Sequence, residues 1–275
     1  MYREFILKTK DINLSGYHWI SEDPKAVICL LHGIGEYAGR YDKIGEFFKE
    51  SHFSLIAIDL RGHGKSEGKR GHAAPRKKVF DDIDAMLEFA GRTAPNVPLY
   101  LYGHSMGGNI GLDYRSNGPK RDMLHGYIIT APWLKLYKKI PEPMVILARI
   151  LSKIKPDYLM DTGLSPKDLA HVQSEVTAYT NDPMVHKKIS VLTAINGLDA
   201  AARILSKPSN CHRPLLLMHG TEDKICAIEG SRIVKNLEND HCTYIEWPGY
   251  YHEIHNEKDG GKVLIAIRNW IYEKD

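Results

Sequence analysis

The stretch LYLYGHSMGGN, residues 99–109, decides the fold of this 275-residue chain. Its first four residues form a short apolar run typical of a buried strand, and a helical pattern begins at Gly107. Between them lies a G-x-S-x-G motif centred on Ser105, in the strand–turn–helix setting that this motif requires. Such a turn presents the serine hydroxyl at a helix N-terminus, which favours developing negative charge. Ser105 is therefore the candidate nucleophile; a glycine-rich turn with an incidental serine is the alternative.

Similar apolar runs recur along the chain and alternate with helical patterns. We predict buried strands at residues 26–31, 55–60, 99–102, 127–130, 215–218 and 243–247. We predict helices at residues 41–51, 79–94, 107–115 and 258–272. This alternation indicates the α/β class, with a mostly parallel central sheet flanked by helices. The residues before Trp19 are expected to add one or two antiparallel edge strands.

One interval interrupts the alternation. Residues 133–208 contain no convincing strand, but they contain helical patterns at 144–154, 166–179 and 191–205. We predict that this interval is a helical cap inserted into an α/β core made of residues 1–132 and 209–275. Because the interval leaves from the carboxyl end of a core strand, the cap should cover that end, where open α/β sheets bind ligands.

A serine nucleophile needs a general base, and the base needs an acid that orients it. In this arrangement the acid and then the histidine follow late strands in chain order. The turn after the fifth predicted strand carries Glu222 and Asp223, and the loop after the last one leads to His252. We predict the catalytic triad Ser105, Asp223 and His252. Glu222 is the alternative acid, and His255 is the alternative base or a neighbour in the pocket.

Two backbone N–H groups are also needed to stabilise the oxyanion that forms during acyl transfer. One donor is the residue after the nucleophile, Met106. The other comes from the loop after an earlier strand, and the segment HGIGE, residues 32–36, follows the first predicted strand. Its glycines let the backbone approach a substrate closely. The N–H of Ile34 is therefore the predicted second donor.

The bulk composition excludes several classes of protein. A net charge of +3 is too mild for a nucleic-acid-binding protein. The four cysteines show no C-x-x-C spacing, so they indicate neither a zinc site nor a redox motif, nor do they form a disulfide scaffold. The N-terminus lacks the apolar run of a signal peptide, and no segment has the length of about 18 apolar residues that a membrane span needs. We predict a cytoplasmic protein that requires no metal and no organic cofactor.

Several motifs together resemble the monoacylglycerol lipase, or lysophospholipase-like, branch of the α/β-hydrolase family. In family order they are residues 32–36 (HGIGE), 40–41 (RY), 59–66 (DLRGHGKS), 103–108 (GHSMGG), 130–132 (TAP), 181–183 (NDP), 219–223 (HGTED) and 251–255 (YHEIH). The resemblance implies the α/β-hydrolase fold and the same triad and oxyanion pair. It also implies that Glu36, Arg40 and His255 shape the polar end that holds a glycerol head group. An internal salt bridge between Glu36 and Arg40 is the alternative.

The function that we expect is hydrolysis of a carboxylic ester of a single-chain lipid, above all a monoacylglycerol, to fatty acid and glycerol through an acyl-enzyme. A lysophospholipase, a general carboxylesterase or a peptidase on the same scaffold are alternatives, because a fold does not fix a function. A non-catalytic lipid-binding protein is a further alternative. A haloalkane dehalogenase is excluded, because its chemistry needs a carboxylate in place of Ser105.

The first part of the cap suggests how such an enzyme reaches a lipid. Residues 133–155 contain one acid, Glu142, and six basic residues: Lys135, Lys138, Lys139, Arg149, Lys153 and Lys155. The helix predicted at 144–154 is apolar around most of its circumference, so it needs apolar neighbours on more than one side. We predict that one neighbour is the acyl tunnel and another is a membrane surface, whose anionic head groups the lysines reach. The alternative is a helix wholly buried between cap and core.

Overall fold

The computed structural model describes residues 2–274, and within them ten strands form two sheets. The strands are β1 (Arg3–Lys8), β2 (Asn13–Trp19), β3 (Ala26–Leu31), β4 (Phe53–Ile58), β5 (Leu99–His104), β6 (Leu124–Thr130), β7 (Leu159–Asp161), β8 (Lys188–Ser190), β9 (Leu215–Gly220) and β10 (Cys242–Trp247). The main sheet has the order β1-β2-β4-β3-β5-β6-β9-β10. Strand β2 is antiparallel to both its neighbours, and all the other pairs are parallel. The predicted sheet, with antiparallel strands at the N-terminal edge, is confirmed.

The α-helices within residues 2–274 are α1 (Asp42–Glu50), α2 (Arg76–Thr93), α3 (Met106–Asn117), α4 (Glu142–Ile154), α5 (Gln173–Asn181), α6 (Val191–Ser206), α7 (Glu229–Glu238) and α8 (Gly261–Lys274). Both faces of the main sheet are covered by helices. Successive side chains of a strand point to opposite faces. In β3, alternate residues accordingly enter two core clusters, one completed by α2, α3 and α7 and the other by α1 and α8. Every residue of β3 is buried, as expected for a central parallel strand.

The register of the sheet brings the predicted catalytic segments together. Leu31 at the end of β3 pairs with Gly103 near the end of β5, so the loop after β3 lies beside the turn that carries Ser105. Gly220 at the end of β9 pairs with Trp247 at the end of β10, so the loops that carry the acid and the histidine are also neighbours. All four segments therefore leave the sheet at its carboxyl edge.

The interval 133–208 differs from its predicted form in two respects. It contains the short strands β7 and β8, which pair with each other antiparallel, so the prediction that it lacks strands is wrong. The helix predicted at 166–179 is divided into a 3-10 turn, Pro166–Asp168, and the helix α5. The break between them lies where Leu169 and Ala170 are buried and where the Leu169 carbonyl accepts a hydrogen bond from Glu253 in the core. We propose the interval as the cap that the sequence predicts.

Candidate active site

Ser105 lies in a strained turn between β5 and α3. Its φ of 55° and ψ of −114° are uncommon for a residue with a side chain, and strain of this kind concentrates at functional sites. The flanking glycines are required by close packing: a Cβ on Gly103 would lie 2.4 Å from the Gly107 carbonyl oxygen, and one on Gly107 would lie 2.1 Å from that of Leu31. The Ser105 N–H donates to the carbonyl of Thr130 at 3.0 Å, which anchors the turn to β6.

Asp223 and His252 form a buried pair. Because a carboxylate only accepts, Nδ1 of His252 donates to Oδ2 of Asp223, at 2.7 Å. Nε2 of His219 donates to the same oxygen at 3.0 Å. The N–H groups of Ile225 and Cys226 donate to Oδ1 at 2.7 Å and 2.9 Å. Four donors therefore fix the orientation of the carboxylate.

The electrostatics of the pair suit a general base and the acid that orients it. Burial raises the pKa of a carboxyl, but the contacts with His252 and His219 outweigh this effect and hold the pKa of Asp223 well below its ordinary value. Burial lowers the pKa of His252, whereas the charge of Asp223 and the hydrogen bond with it raise that pKa above its ordinary value. An ionised Asp223 keeps the proton on Nδ1 of His252, so Nε2 is the atom that can accept another proton.

The alternative residues lie elsewhere. Glu222 has an exposed side chain, although it is the immediate neighbour of Asp223. His255 packs its ring against the rings of His104 and Tyr41, with centroids 5.1 Å and 5.6 Å away. This placement favours Asp223 and His252 for the acid and the base, and their roles in the reaction remain predictions.

The predicted oxyanion donors belong to adjacent elements. Met106 is the first residue of α3, and Ile34 lies in the loop after β3. This loop is held by a hydrogen bond in which the Gly33 N–H donates to Oε1 of Glu36 at 2.6 Å. The Ile34 N–H itself donates to no acceptor among residues 2–274. Ile34 and Ser105 line one cavity, so the arrangement fits the oxyanion role, which stays a prediction.

That cavity has a volume of about 350 Å³ and extends from Ser105 into the cap. Its apolar lining includes Trp133, Leu136, Met144, Val145, Met160 and Leu198. These side chains come from the loop after β6, from α4, from β7 and from α6, so no local sequence pattern identifies them as a pocket. A largely apolar pocket that ends at a nucleophile suits a hydrocarbon chain.

Residues 22–259 match the family model described as "Serine aminopeptidase, S33". The chain belongs to this family. It is 29% identical over 253 residues to a monoacylglycerol lipase of Mycolicibacterium smegmatis, covering 90% of this chain and 89% of that protein. The crystal structure of Paleococcus ferrophilus monoacylglycerol lipase superposes with a TM-score of 0.87 and 32% identity over 95% of this chain and 99% of that one.

An abhydrolase domain-containing protein of Dictyostelium discoideum is 31% identical over 91% of this chain, which spans only 27% of that longer protein. The monoacylglycerol lipases of Mycolicibacterium smegmatis and Paleococcus ferrophilus, by contrast, are nearly as long as this chain. The predictions of an α/β-hydrolase fold, of similarity to monoacylglycerol lipases and of a serine ester hydrolase are thereby confirmed.

A narrow crevice beside Ser105 bears on the predicted head-group residues. Glu36 lines this crevice, whereas Arg40 and His255 do not. The carboxylate of Glu36 accepts hydrogen bonds from Tyr41 at 2.8 Å and from Arg40. The internal ion pair that was the alternative to a head-group role is therefore present.

Glu253 and His219 are two residues of the site that the sequence argument does not identify as functional. Glu253 lines the crevice and binds Arg40, and His219 is the second histidine on Asp223. The available signals were the acid directly after His252 and the histidine four positions before Asp223. The sequence does not show that Glu253 binds Arg40 or that His219 binds Asp223, because these contacts depend on how the loops meet in the fold.

Proposed function

We propose that this hydrolase cleaves the ester bond of a single-chain lipid, above all a monoacylglycerol, and releases a fatty acid and glycerol. The observation that carries the proposal is the largely apolar cavity of about 350 Å³ that begins at Ser105 and is lined mostly by residues of the cap. An acyl chain suits this cavity. The crevice lined by Glu36 and Glu253 has a volume of about 10 Å³, which suits a single hydroxyl of the head group. The similarity to monoacylglycerol lipases of nearly the same length supports this substrate.

The mechanism that we propose is acyl transfer through a covalent intermediate. The Ser105 hydroxyl attacks the ester carbonyl while His252 takes its proton, and Asp223 stabilises the imidazolium. The N–H groups of Ile34 and Met106 stabilise the tetrahedral oxyanion. His252 then gives the proton to the leaving glycerol oxygen. Water, activated by the same histidine, hydrolyses the acyl-enzyme and restores Ser105.

A panel of substrates tests the proposed specificity. It compares monoacylglycerols, diacylglycerols, lysophospholipids and short nitrophenyl esters, with Ser105→Ala as the blank. We expect the highest kcat/KM for a monoacylglycerol. Preference for a lysophospholipid would make the protein a lysophospholipase, and preference for the short esters would make it a general carboxylesterase. A protein that a fluorophosphonate probe does not label would be a non-catalytic lipid binder.

Head-group selectivity gives a separate prediction. We propose that Glu36, with Arg40 and His255 behind it, recognises the glycerol hydroxyls. His255 packs against Tyr41, whose hydroxyl holds the Glu36 carboxylate. His255→Ala is therefore expected to weaken the hydrogen bond from the head group to Glu36 and to lower the ratio of monoacylglycerol to methyl-ester hydrolysis by about tenfold, the value of one net hydrogen bond. His241→Ala, a change at an exposed histidine, is the matched control. An unchanged ratio in His255→Ala would remove that residue from head-group recognition.

We also propose that the cap is the part of the protein that contacts a membrane surface. No residue of α4 is buried, so the alternative, a helix wholly buried between cap and core, does not hold. Five of its apolar side chains are between 52% and 75% exposed: Met144, Ile146, Leu147, Ile150 and Ile154. Val145 and Ala148, on another side of the helix, line the cavity. An apolar surface of this kind beside the cavity is typical of an interfacial helix.

The charges around α4 fit an anionic surface. Arg149 forms an ion pair with Asp199 of α6 at 2.6 Å, so it is directed toward the protein. The five lysines of residues 133–155 are exposed: Lys135, Lys138, Lys139, Lys153 and Lys155. None of the helices within residues 2–274 is both long and apolar enough to cross a bilayer. The contact that we propose is a peripheral one.

Liposome co-sedimentation tests this contact. We expect binding to vesicles that contain anionic lipid, with clear loss in Leu147→Ser and in Lys153→Glu. Ile265→Ser changes an exposed isoleucine of α8, away from the cap, and should bind as the wild type does. If the wild-type protein stays in the supernatant with every lipid composition, at low salt included, the cap is only a lid.

A further inference from the structure

A buried ion cluster adjoins the active site and has no role in the mechanism described above. It consists of Glu36, Arg40 and Glu253, which we call the carboxylate clamp. Nη1 of Arg40 donates both to Oε2 of Glu36 and to Oε1 of Glu253, the latter at 3.0 Å, and Nη2 donates to Oε2 of Glu253 at 3.3 Å. The side chains of Glu36, Arg40 and Glu253 are only 5%, 12% and 3% exposed. One guanidinium therefore serves two carboxylates that lie 217 positions apart in the chain.

Each carboxylate of the clamp belongs to a different catalytic loop. Glu36 is part of the oxyanion loop, residues 32–36, and its other oxygen accepts the Gly33 N–H at 2.6 Å, one residue before Ile34. Glu253 directly follows His252 in the histidine loop, residues 248–255. The Glu253 N–H donates to the Leu169 carbonyl of the cap at 2.7 Å, which ties the histidine loop to the cap as well.

The guanidinium is suited to this position by its shape. It presents donors on two edges of one rigid plane, whereas a lysine ammonium is a single point of charge. Its plane also lies near the ring of Tyr179 in the cap helix α5, with Cζ 4.7 Å from the ring centroid. Arg40 is thus held from the cap side as well as by both loops.

We propose that Arg40 is a positioning residue, which sets the spacing between the oxyanion loop and the histidine loop through Glu36 and Glu253. The proposal rests on the proposed mechanism, since it assigns Ile34 and His252 their roles, but it does not depend on the lipid substrate. A role limited to head-group recognition is the competing explanation. The two explanations differ for a substrate that has no head group.

The first test compares two substrates. Arg40→Met should lower kcat for a short nitrophenyl ester and for a monoacylglycerol alike, each by about a hundredfold, since a displacement of about 1 Å can cost that much. KM for either substrate should change far less. Arg40→Lys should recover only part of the loss, because it keeps the charge without the two-edged geometry. If nitrophenyl-ester turnover is unchanged in Arg40→Met, the proposal is overturned and head-group recognition is the better explanation.

A matched variant separates positioning from a general loss of stability. Arg115 forms another buried ion pair, with Glu238 at 2.6 Å, far from the active site. Arg115→Met should lower the melting temperature, as Arg40→Met does, but leave kcat per labelled site unchanged. End-point labelling with a fluorophosphonate counts the folded sites in each variant. An equal fall of kcat per labelled site in both variants would contradict the proposal.

The second test uses the pH profile and does not require removal of the arginine. His252 is faced by charged or titratable groups from several elements: Asp223, His219, His104, His255, Glu36, Arg40 and Glu253. Arg40 holds the pKa of Glu253 below its ordinary value against the effect of burial, so this carboxylate is charged. Its negative charge is one of those that raise the pKa of His252.

Glu253→Gln removes this charge and keeps the shape of the side chain. The pKa of His252 should fall, and the acidic limb of kcat/KM for the nitrophenyl ester should move to lower pH, because that limb reports the protonation of the free base. Glu246→Gln, which changes a partner of Arg232 near the surface, should leave the limb in place. An unmoved limb in Glu253→Gln would show that the clamp does not hold Glu253 close to His252, and it would overturn the proposal. If the wild-type protein hydrolyses the nitrophenyl ester but no lipid, the proposed lipid specificity fails while both tests of the clamp can still be read.

Discussion

Ser105→Ala is expected to lower kcat/KM by about a millionfold, and His252→Ala by a similar factor, as loss of a nucleophile or its base does in other serine hydrolases. The first change removes the oxygen that forms the acyl-enzyme. The second leaves that oxygen without a base. Because the two residues act as one unit, the double variant should be little worse than either single variant.

The measurement is turnover of a nitrophenyl ester and of a monoacylglycerol, with the folded fraction checked by the melting temperature. Ser116→Ala is a suitable control for Ser105→Ala, because Ser116 lies on the same helix, α3, and hydrogen-bonds with Ser209 outside the active site. A residual rate about a thousandfold above that of the uncatalysed reaction in water would still be compatible with the mechanism, since the oxyanion donors and substrate binding remain. Near-normal turnover in Ser105→Ala would contradict the proposed mechanism.

The strands that position Ser105 could be predicted because a buried strand has a continuous run of apolar residues in its own sequence. Strand β3 begins and ends at the predicted residues, and the other predicted strands of the sheet overlap with those observed. Central parallel strands are apolar on both faces, so they appear as continuous apolar runs between turn residues. The elbow was equally evident, because only glycine fits at positions 103 and 107.

Other elements were not predicted. Helix α7 was missed although its sequence EGSRIVKNLE is as amphipathic as that of α1; it contains only three large apolar residues, and only one of them, Val234, is buried. Strands β7 and β8 have three residues each and exist through their pairing with each other. Tertiary contacts decide such elements, and a reading of one segment at a time does not detect them.

The clamp illustrates the same limit within the active site. The motifs identified Glu36 and Arg40, four positions apart, and the choice between a salt bridge and a head-group role stayed open. The structure adds Glu253 as the third member, through contacts that span more than two hundred positions. The sequence alone could name the residues around the reaction, but the geometry was needed to say which of them bind one another.

Asp223→Asn is expected to lower kcat by about ten thousandfold with little loss of folding, because the histidine would carry its proton on the wrong nitrogen. The N–H groups of Ile225 and Cys226 both donate to Oδ1 of Asp223, so an asparagine would keep its oxygen at that position. Its NH₂ group would then face Nδ1 of His252 in place of Oδ2. As a donor, it would favour the tautomer with the proton on Nε2, which cannot take the proton from Ser105.

Two further measurements make this prediction specific to Asp223. Glu222→Gln, one position away on an exposed side chain, should change kcat only slightly. Burial lowers the pKa of His252 and the charge of Asp223 raises it, so the acidic limb of kcat/KM in Asp223→Asn should move to lower pH. His219 could still donate to the Cys226 carbonyl, 3.1 Å away, and the buried network would remain largely bonded. A strong loss in Glu222→Gln with near-normal turnover in Asp223→Asn would move the acid by one position and refute the pairing with His252 as the catalytic contact.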